Sequence, residues 1–186
     1  RILALLITLF VAADGMFVVE SRFGLNNIYI VFFGVCALVF LLKNFIAARK
    51  AYWPLMACGI FLGMAYSVKW SGLGYSLAIW MLVFAPILLL LLKKYQPLPE
   101  FFSAQLFQLP VFAKTPLWMY ILCLFVIPLM VYSVIWQPHL ALFDKYGFFE
   151  MQRQILGYHS NTVSATDHPY CSPWYSWPLM LRPISY

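Results

Sequence analysis

The chain has 186 residues, of which 64% are hydrophobic and only 10% are charged, and its mean hydropathy is +0.83. A soluble domain is nearer half apolar and a quarter charged, so this composition argues against a water-soluble fold. The formal net charge of +6 comes from Lys and Arg residues that stand singly or in pairs between apolar blocks. Because they form no stripe, nucleic-acid binding is also disfavoured, and an all-α integral membrane protein is predicted.

The predicted transmembrane helices come from apolar runs of about the length that crosses a bilayer, which is roughly 20 helical residues. Five such runs lie near 2–19, 26–42, 52–68, 74–92 and 117–136. Charged or proline-containing segments separate them, and they are not repeats of one another. We therefore predict about five transmembrane helices that form a bundle over residues 1–136, followed by a distinct region at 137–186.

The basic residues between the runs predict the orientation of the bundle, since short cytoplasmic loops collect Lys and Arg. The segments 43–50 and 93–114 carry three basic residues each, whereas Arg22 and Lys69 stand alone in theirs. The first two segments are therefore expected on the cytoplasmic side. The loops of Arg22 and Lys69, and the whole region 137–186, are expected on the outer side.

Two connecting stretches mix aromatic or aliphatic residues with polar ones at helical spacing. They lie at 100–109 and at 140–156. Such amphipathic patterns are typical of helices that lie in the membrane interface. We expect one interfacial helix on each side, each with an anchoring role.

The four cysteines have no metal-binding or CxxC spacing. Cys36, Cys58 and Cys123 fall inside apolar runs, where a thiol usually packs as a small hydrophobe. Cys171 lies in the region after the last run. No metal site and no cofactor are predicted.

Ionisable residues close to the membrane are costly to keep and are candidates for function. Asp14 lies inside the first run, Arg22 lies just past its outer end, and Lys69 ends the third run beside Trp70. Each has a plainer explanation as well. Asp14 could bond a neighbouring helix, Lys69 could extend to the lipid interface, and Trp70 could be an interfacial belt residue.

The region from His159 to Pro183 is dense in Trp, Tyr, His and Pro. This composition predicts a stiff loop with flat apolar faces that suit sugar rings, and the guanidinium of Arg182 fits a phosphate. An aromatic interface loop that binds no ligand is the alternative on composition alone.

A resemblance enters at these residues. The run HPYCSPWYSWPLMLRPISY at 168–186 looks like the signature of the protein O-mannosyltransferase family, glycosyltransferase family 39. Two further stretches resemble that family in order and spacing, one from Asp14 to Arg22 and one from Val68 to Leu73. The chain departs from the family at Asn27, where an Asp is usual.

The resemblance implies a GT-C type fold and transfer of mannose from a polyprenyl-phosphate donor to Ser or Thr hydroxyls of an acceptor protein on the non-cytoplasmic side. It implies that Arg22, Lys69 and Arg182 bind the donor phosphate. Residues expected to shape the sugar and acceptor cleft are Asp14, Trp70, His168, Tyr170, Trp174 and Trp177. The catalytic base of this family lies in an outer loop upstream of everything present here.

The resemblance therefore predicts an internal-to-C-terminal fragment of a multi-pass membrane enzyme. Its location would be a bacterial plasma membrane, or the endoplasmic reticulum membrane in a eukaryote. Two alternatives stay open. The first is a related lipid-carrier-dependent enzyme that moves another sugar, such as arabinose, to lipid; the second is a transporter or a non-catalytic membrane scaffold.

Overall fold

A computed structural model describes residues 2–22, 24–46, 52–93, 115–142 and 146–161, with the backbone alone at 16, 85–93 and 159–161. All regular secondary structure in these ranges is helical. The chain divides into two compact units, Arg1–Gln137 and Pro138–Tyr186. The all-helical class predicted from the sequence is confirmed for the described part of the chain.

The helices follow the apolar runs, with boundaries at the polar residues between them. They are α1 (Ile2–Ala12), α2 (Gly15–Arg22), α3 (Asn27–Ile46), α4 (Trp53–Val68), a 3₁₀ turn (Trp70–Gly72), α5 (Leu73–Lys93), α6 (Leu117–Ile121), a π-helical segment (Leu122–Val126), α7 (Ile127–Leu142) and α8 (Phe148–Asn161).

Two of these stretches are long and apolar enough to cross a bilayer. They are α3 and the continuous helix Leu117–Leu142, whereas Ile2–Ala12, Trp53–Val68 and Trp70–Phe84 are apolar but shorter. The apolar helices fit a membrane protein. Five complete spans stay a prediction, because length and composition qualify only two helices among the described residues.

The first predicted run, 2–19, is two helices rather than one. α1 ends at Ala12, and α2 begins at Gly15 after the break at Asp14. Aspartate favours such breaks because its short side chain bonds backbone N–H groups at a helix start. Continuous hydrophobicity therefore concealed a helix boundary.

Helices α3 and α4 form an antiparallel pair in the first unit. The ring of Phe40, near the end of α3, packs on Trp53 at the start of α4, while Phe33 packs near Phe61 further along. Between these contacts lie fully buried side chains, among them Ala37 and Leu55. The start of α3 and the end of α4 therefore lie at the same end of the bundle.

Glycines on α4 bring it close to the last membrane helix. Gly59 and Gly63 are spaced as in a GxxxG motif, which allows two helix backbones to approach closely. A Cβ atom on Gly59 would meet the carbonyl oxygen of Cys123, and one on Gly63 would lie 2.7 Å from the carbonyl oxygen of Pro128. Both contacts advance in the same chain direction, so α4 and the Leu117–Leu142 helix run parallel.

The π-helical segment Leu122–Val126 ends two residues before Pro128, and it contains Cys123, the residue that Gly59 approaches. Proline has no N–H to donate, so the carbonyl of Leu124, four residues earlier, loses its usual α-helical partner. The indole Nε1 of Trp80 donates to that carbonyl at 3.3 Å. The Trp80 ring also stacks on Phe125, with centroids 4.5 Å apart. Helix α5 thus satisfies a backbone group that the proline leaves open.

The first unit therefore has two polar ends. The Lys69 end comprises Arg22, Asn27, Lys69, Trp70 and Tyr132. At the Lys43 end, Lys43 lies over the ring of Phe40, and the hydroxyl of Tyr120 donates to Oδ1 of Asn44 at 3.3 Å. Of the described basic residues used to predict orientation, Lys43 thus lies at one end of the bundle, and Arg22 and Lys69 lie at the other.

The second unit is described through α8. Its polar side includes Glu150, whose Oε1 accepts a hydrogen bond from Gln154 at 3.1 Å, while Phe149 and Leu156 are exposed apolar residues. The amphipathic stretch predicted at 140–156 begins in the last residues of α7, which ends at Leu142, and α8 begins only at Phe148. The predicted interfacial helix at 100–109 lies outside the described residues.

Candidate functional site

The Lys69 side chain is presented by a tight turn between α4 and α5. Lys69 has an extended backbone, with φ −164° and ψ 145°, and its carbonyl accepts the N–H of Gly72 at 2.9 Å. Gly72 is buried against the last turn of α4, where an added Cβ would lie 2.6 Å from the carbonyl oxygen of Ala65. Glycine is therefore required here, and the turn leaves Lys69 exposed at the end of the bundle.

Trp70 is held by a residue from a distant part of the chain. Its indole Nε1 donates to the hydroxyl of Tyr132 on α7 at 3.0 Å. Tyr132 is 8% exposed, and its ring lies 5.9 Å from that of Trp136. Trp70 itself is half-buried. Its hydrogen bond to Tyr132 attaches the turn that carries Lys69 to α7. A residue of the interfacial aromatic belt would not need such a partner within the protein, so the bond to Tyr132 indicates that Trp70 has a fixed position.

Arg22 lies in the last turn of α2, which ends in a Schellman motif. Gly24 has φ +63°, a left-handed conformation that favours glycine, and its N–H donates to the carbonyl of Ser21 at 3.4 Å. The N–H of Leu25 donates to the carbonyl of Glu20 at 3.0 Å. These two bonds are the characteristic pair of that motif. They reverse the chain into α3 and leave Arg22 exposed.

A buried carboxylate lies beside this turn. Glu20 is 2% exposed, and it is the one charged side chain that is buried among the described residues. Its Oε1 accepts a hydrogen bond from Nδ2 of Asn27 at 3.0 Å. The positive end of the α3 dipole also favours a carboxylate at this position. Asn27 is thus a donor to an acidic side chain.

Asp14 is separated from these residues. Its Oδ1 accepts the N–H of Phe17 at 3.3 Å, the bond of an N-cap residue, and the side chain is exposed. Eight residues of helix rise about 12 Å, so Asp14 and Arg22 lie at opposite ends of α2. The structure does not bring Asp14 to the Arg22 turn.

The structure places three of the residues predicted from the sequence at the same end of the first unit. Arg22, Lys69 and Trp70 all lie at the Lys69 end, since α3 contacts both α2 and the 3₁₀ turn that follows Lys69. The remaining predicted residues lie outside the described part of the chain; they are His168, Tyr170, Trp174, Trp177 and Arg182. Two exposed cations at one end of an apolar bundle can bind an anionic headgroup at a membrane surface.

Sequence reasoning missed Tyr132. The residue stands in an apolar run, 62 positions from its hydrogen-bond partner Trp70. The only local signal was its spacing of four residues from Trp136, which places both aromatic rings on one side of a helix. That signal predicts a shared side but not a partner.

Comparison with known proteins gives a family match over most of the chain. The family described as dolichyl-phosphate-mannose-protein mannosyltransferase matches residues 1–144, which is most of the chain. The chain belongs to this family. The mannosyltransferase match includes the Lys69 end described above, so the turns of Arg22 and Lys69 are part of a mannosyltransferase sequence.

One curated mannosyltransferase is also similar. It is the polyprenol-phosphate-mannose--protein mannosyltransferase of Corynebacterium glutamicum, 36% identical over 84 residues. The match covers 34% of this chain and 16% of the relative, so the chain spans about a sixth of that relative's length. No solved structure matches the chain. The resemblance and the glycosyltransferase class inferred from the sequence are confirmed at the level of the mannosyltransferase family.

Proposed function

We propose that this chain is a membrane-embedded part of an enzyme that transfers mannose from a polyprenyl-phosphate donor to Ser or Thr hydroxyls of proteins. Membership of the mannosyltransferase family supports the reaction class. The observation that carries the proposal is the placement of Arg22 and Lys69, both exposed, at one end of an apolar bundle.

The two cations suit the leaving group of this reaction. The lipid phosphate is already anionic in the bound donor, and its negative charge grows as the bond to mannose breaks, so fixed positive charges bind the donor and stabilise the leaving group. Arg22 offers a planar, two-pronged donor, and Lys69 offers a compact charge. Arg182, in the run at 168–186, is proposed as a third phosphate ligand.

Trp70 is proposed to line the sugar side of the cleft. Because its indole N–H is bound to Tyr132, its ring face is the part left for contact with a sugar ring. The run at 168–186 is proposed to contribute further residues to the sugar and acceptor cleft, namely His168, Tyr170, Trp174 and Trp177. Asp14 stays out of this proposal because its carboxylate caps α2.

The rest of the enzyme is proposed to lie outside this chain. The chain spans about a sixth of its curated relative, and the base that activates the acceptor hydroxyl is expected upstream. We propose five spans with the Lys69 end on the non-cytoplasmic side, in a bacterial plasma membrane or in the endoplasmic reticulum membrane. The supporting pattern is the excess of basic residues at 43–50 and 93–114.

The test is mannose transfer by the enzyme that carries this chain, in membranes, from polyprenyl-phosphate-mannose to a Ser/Thr peptide. Arg22→Ala and Lys69→Ala should each raise the KM for the donor. A charge-assisted contact contributes about 1.5–3 kcal/mol, which corresponds to roughly 10- to 150-fold. Lys43→Ala is the matched control, since Lys43 is an exposed lysine at the opposite end.

Equal donor KM values for Lys69→Ala, Arg22→Ala and Lys43→Ala would contradict the assignment of the phosphate site. A polyprenyl-phosphate-arabinose donor, assayed in parallel, addresses the alternative sugar. Use of arabinose but not mannose would replace the proposed reaction by the related lipid-modifying one. Absence of transfer with either sugar, in an enzyme that is correctly inserted, would favour a scaffold.

A further inference from the structure

The buried carboxylate of Glu20 occupies a place where a membrane protein rarely keeps a charge. A buried carboxylate is costly unless hydrogen bonds and nearby positive charge stabilise it. Here Asn27 supplies a hydrogen bond at 3.0 Å, and the start of α3 supplies the positive end of a helix dipole. The cost is thus offset by two features that both belong to α3.

The same carboxylate determines how α2 is turned about its axis. Successive helical residues are rotated by about 100°, so Arg22 points about 200° away from Glu20. When Glu20 is buried against α3, Arg22 must therefore face outward. This agrees with the exposures observed, since Glu20 is 2% exposed and Arg22 is an exposed residue.

The backbone adds a second restraint at the same point. The Glu20 carbonyl accepts the N–H of Leu25, and Gly24 takes the left-handed conformation that the turn needs. The Glu20 residue thus bonds through its backbone to the turn and through its side chain to α3. Arg22 lies in the short stretch of chain that both bonds close, after Glu20 and before Leu25.

We propose that Glu20 and Asn27 form a hydrogen-bonded clamp that positions Arg22 toward the lipid phosphate, with Glu20 acting as a positioning residue. This rests on the proposed function of Arg22 as a phosphate ligand. The clamp works through the hydrogen bond between an amide and a carboxylate. The direction of that bond can be reversed, because a Gln at 20 can donate to an Asp at 27.

This reversal supplies the test, made in the enzyme that carries the chain. Asn27→Asp alone places two carboxylates at hydrogen-bond distance, where they repel, and should raise the KM for polyprenyl-phosphate-mannose by about tenfold or more. The double variant with Glu20→Gln and Asn27→Asp should return KM to within a few fold of the original. Glu20→Gln alone retains an acceptor for Asn27 but loses the attraction between the carboxylate and the α3 dipole, so its KM should lie between those of the original enzyme and of Asn27→Asp.

A cross with Arg22→Ala shows whether the clamp acts through Arg22. If it does, adding Asn27→Asp to Arg22→Ala should leave KM where Arg22→Ala already put it. Effects that multiply instead would overturn the proposal. So would a double variant with Glu20→Gln and Asn27→Asp as impaired as Asn27→Asp alone, because the carboxylate at 20 would then matter for a reason other than the clamp.

A second readout does not depend on activity. Arg22→Cys is labelled with a membrane-impermeant thiol reagent in a background without the native cysteines. Asn27→Asp should change the labelling rate, and adding Glu20→Gln should restore it. If Arg22→Ala leaves KM unchanged but labelling follows this pattern, the clamp stands and the phosphate role fails. If the labelling rate is the same with and without both substitutions, the clamp itself is refuted.

Discussion

Gly72→Ala is expected to destabilise the fold at the turn that carries Lys69 and Trp70. The new Cβ would lie 2.6 Å from the carbonyl oxygen and 2.7 Å from the carbonyl carbon of Ala65. Both are backbone atoms inside the last turn of α4, so no side-chain rotation relieves the contact. To reach an ordinary separation of 3.4 Å, the turn must move by roughly 0.8 Å from its present 2.6 Å.

A movement of that size acts on the hydrogen bond between Trp70 and Tyr132. Its present length is 3.0 Å, and a lengthening by most of the displacement takes it past the range of a useful hydrogen bond. Overpacking typically costs about 1–3 kcal/mol, and the lost hydrogen bond contributes about 0.5–1.5 kcal/mol more. We therefore expect a decrease of about 2–4 kcal/mol in the free energy of unfolding.

The assay is thermal or denaturant unfolding in detergent, with the donor KM measured alongside. Gly74→Ala is the matched control, because nothing lies within 4 Å of its added Cβ. That control should be neutral or slightly stabilising, as is usual for Gly→Ala in an unstrained helix. If Gly72→Ala is as stable as Gly74→Ala and leaves the KM unchanged, the close approach to Ala65 does not hold the turn.

Two further predictions concern the first helices and the orientation of the bundle. Asp14→Ala should lower stability by about 0.5–2 kcal/mol through loss of the N-cap, whereas Asp14→Ser should retain most of it, as unfolding measurements would show; equal losses would refute the capping role. An impermeant thiol reagent added to intact cells should label a cysteine introduced at Ser71 but not one introduced at Ala48, because the basic residues at 43–50 favour the cytoplasmic side; the opposite pattern would reverse the proposed topology.

The sequence alone was sufficient to locate helices that consist of one long apolar run. The run at 52–68 became α4 at Trp53–Val68, and the run at 74–92 became α5 at Leu73–Lys93. The break at Asp14 was missed because hydrophobicity alone does not show where the backbone changes its hydrogen-bond pattern. Propensity rules could have placed it, since Asp is common at the start of a helix.

The site was only partly accessible from the sequence. The exposed cations Arg22 and Lys69 were found because charge at a membrane edge is conspicuous. Tyr132 and the Glu20 clamp were not found, because both depend on which side chains meet after the helices pack. No local pattern indicates that Trp70 will reach Tyr132, 62 residues later in the chain.

The bond from Trp80 to the Leu124 carbonyl has a consequence for the order of biogenesis. A carbonyl without a partner is costly in lipid, so a helix containing Pro128 would enter the bilayer with an energetic defect if it entered alone. Chain order removes this difficulty, because residue 80 is synthesised before residue 124. The earlier helix can act as an intramolecular chaperone for the later one, receiving it as it leaves the translocation channel.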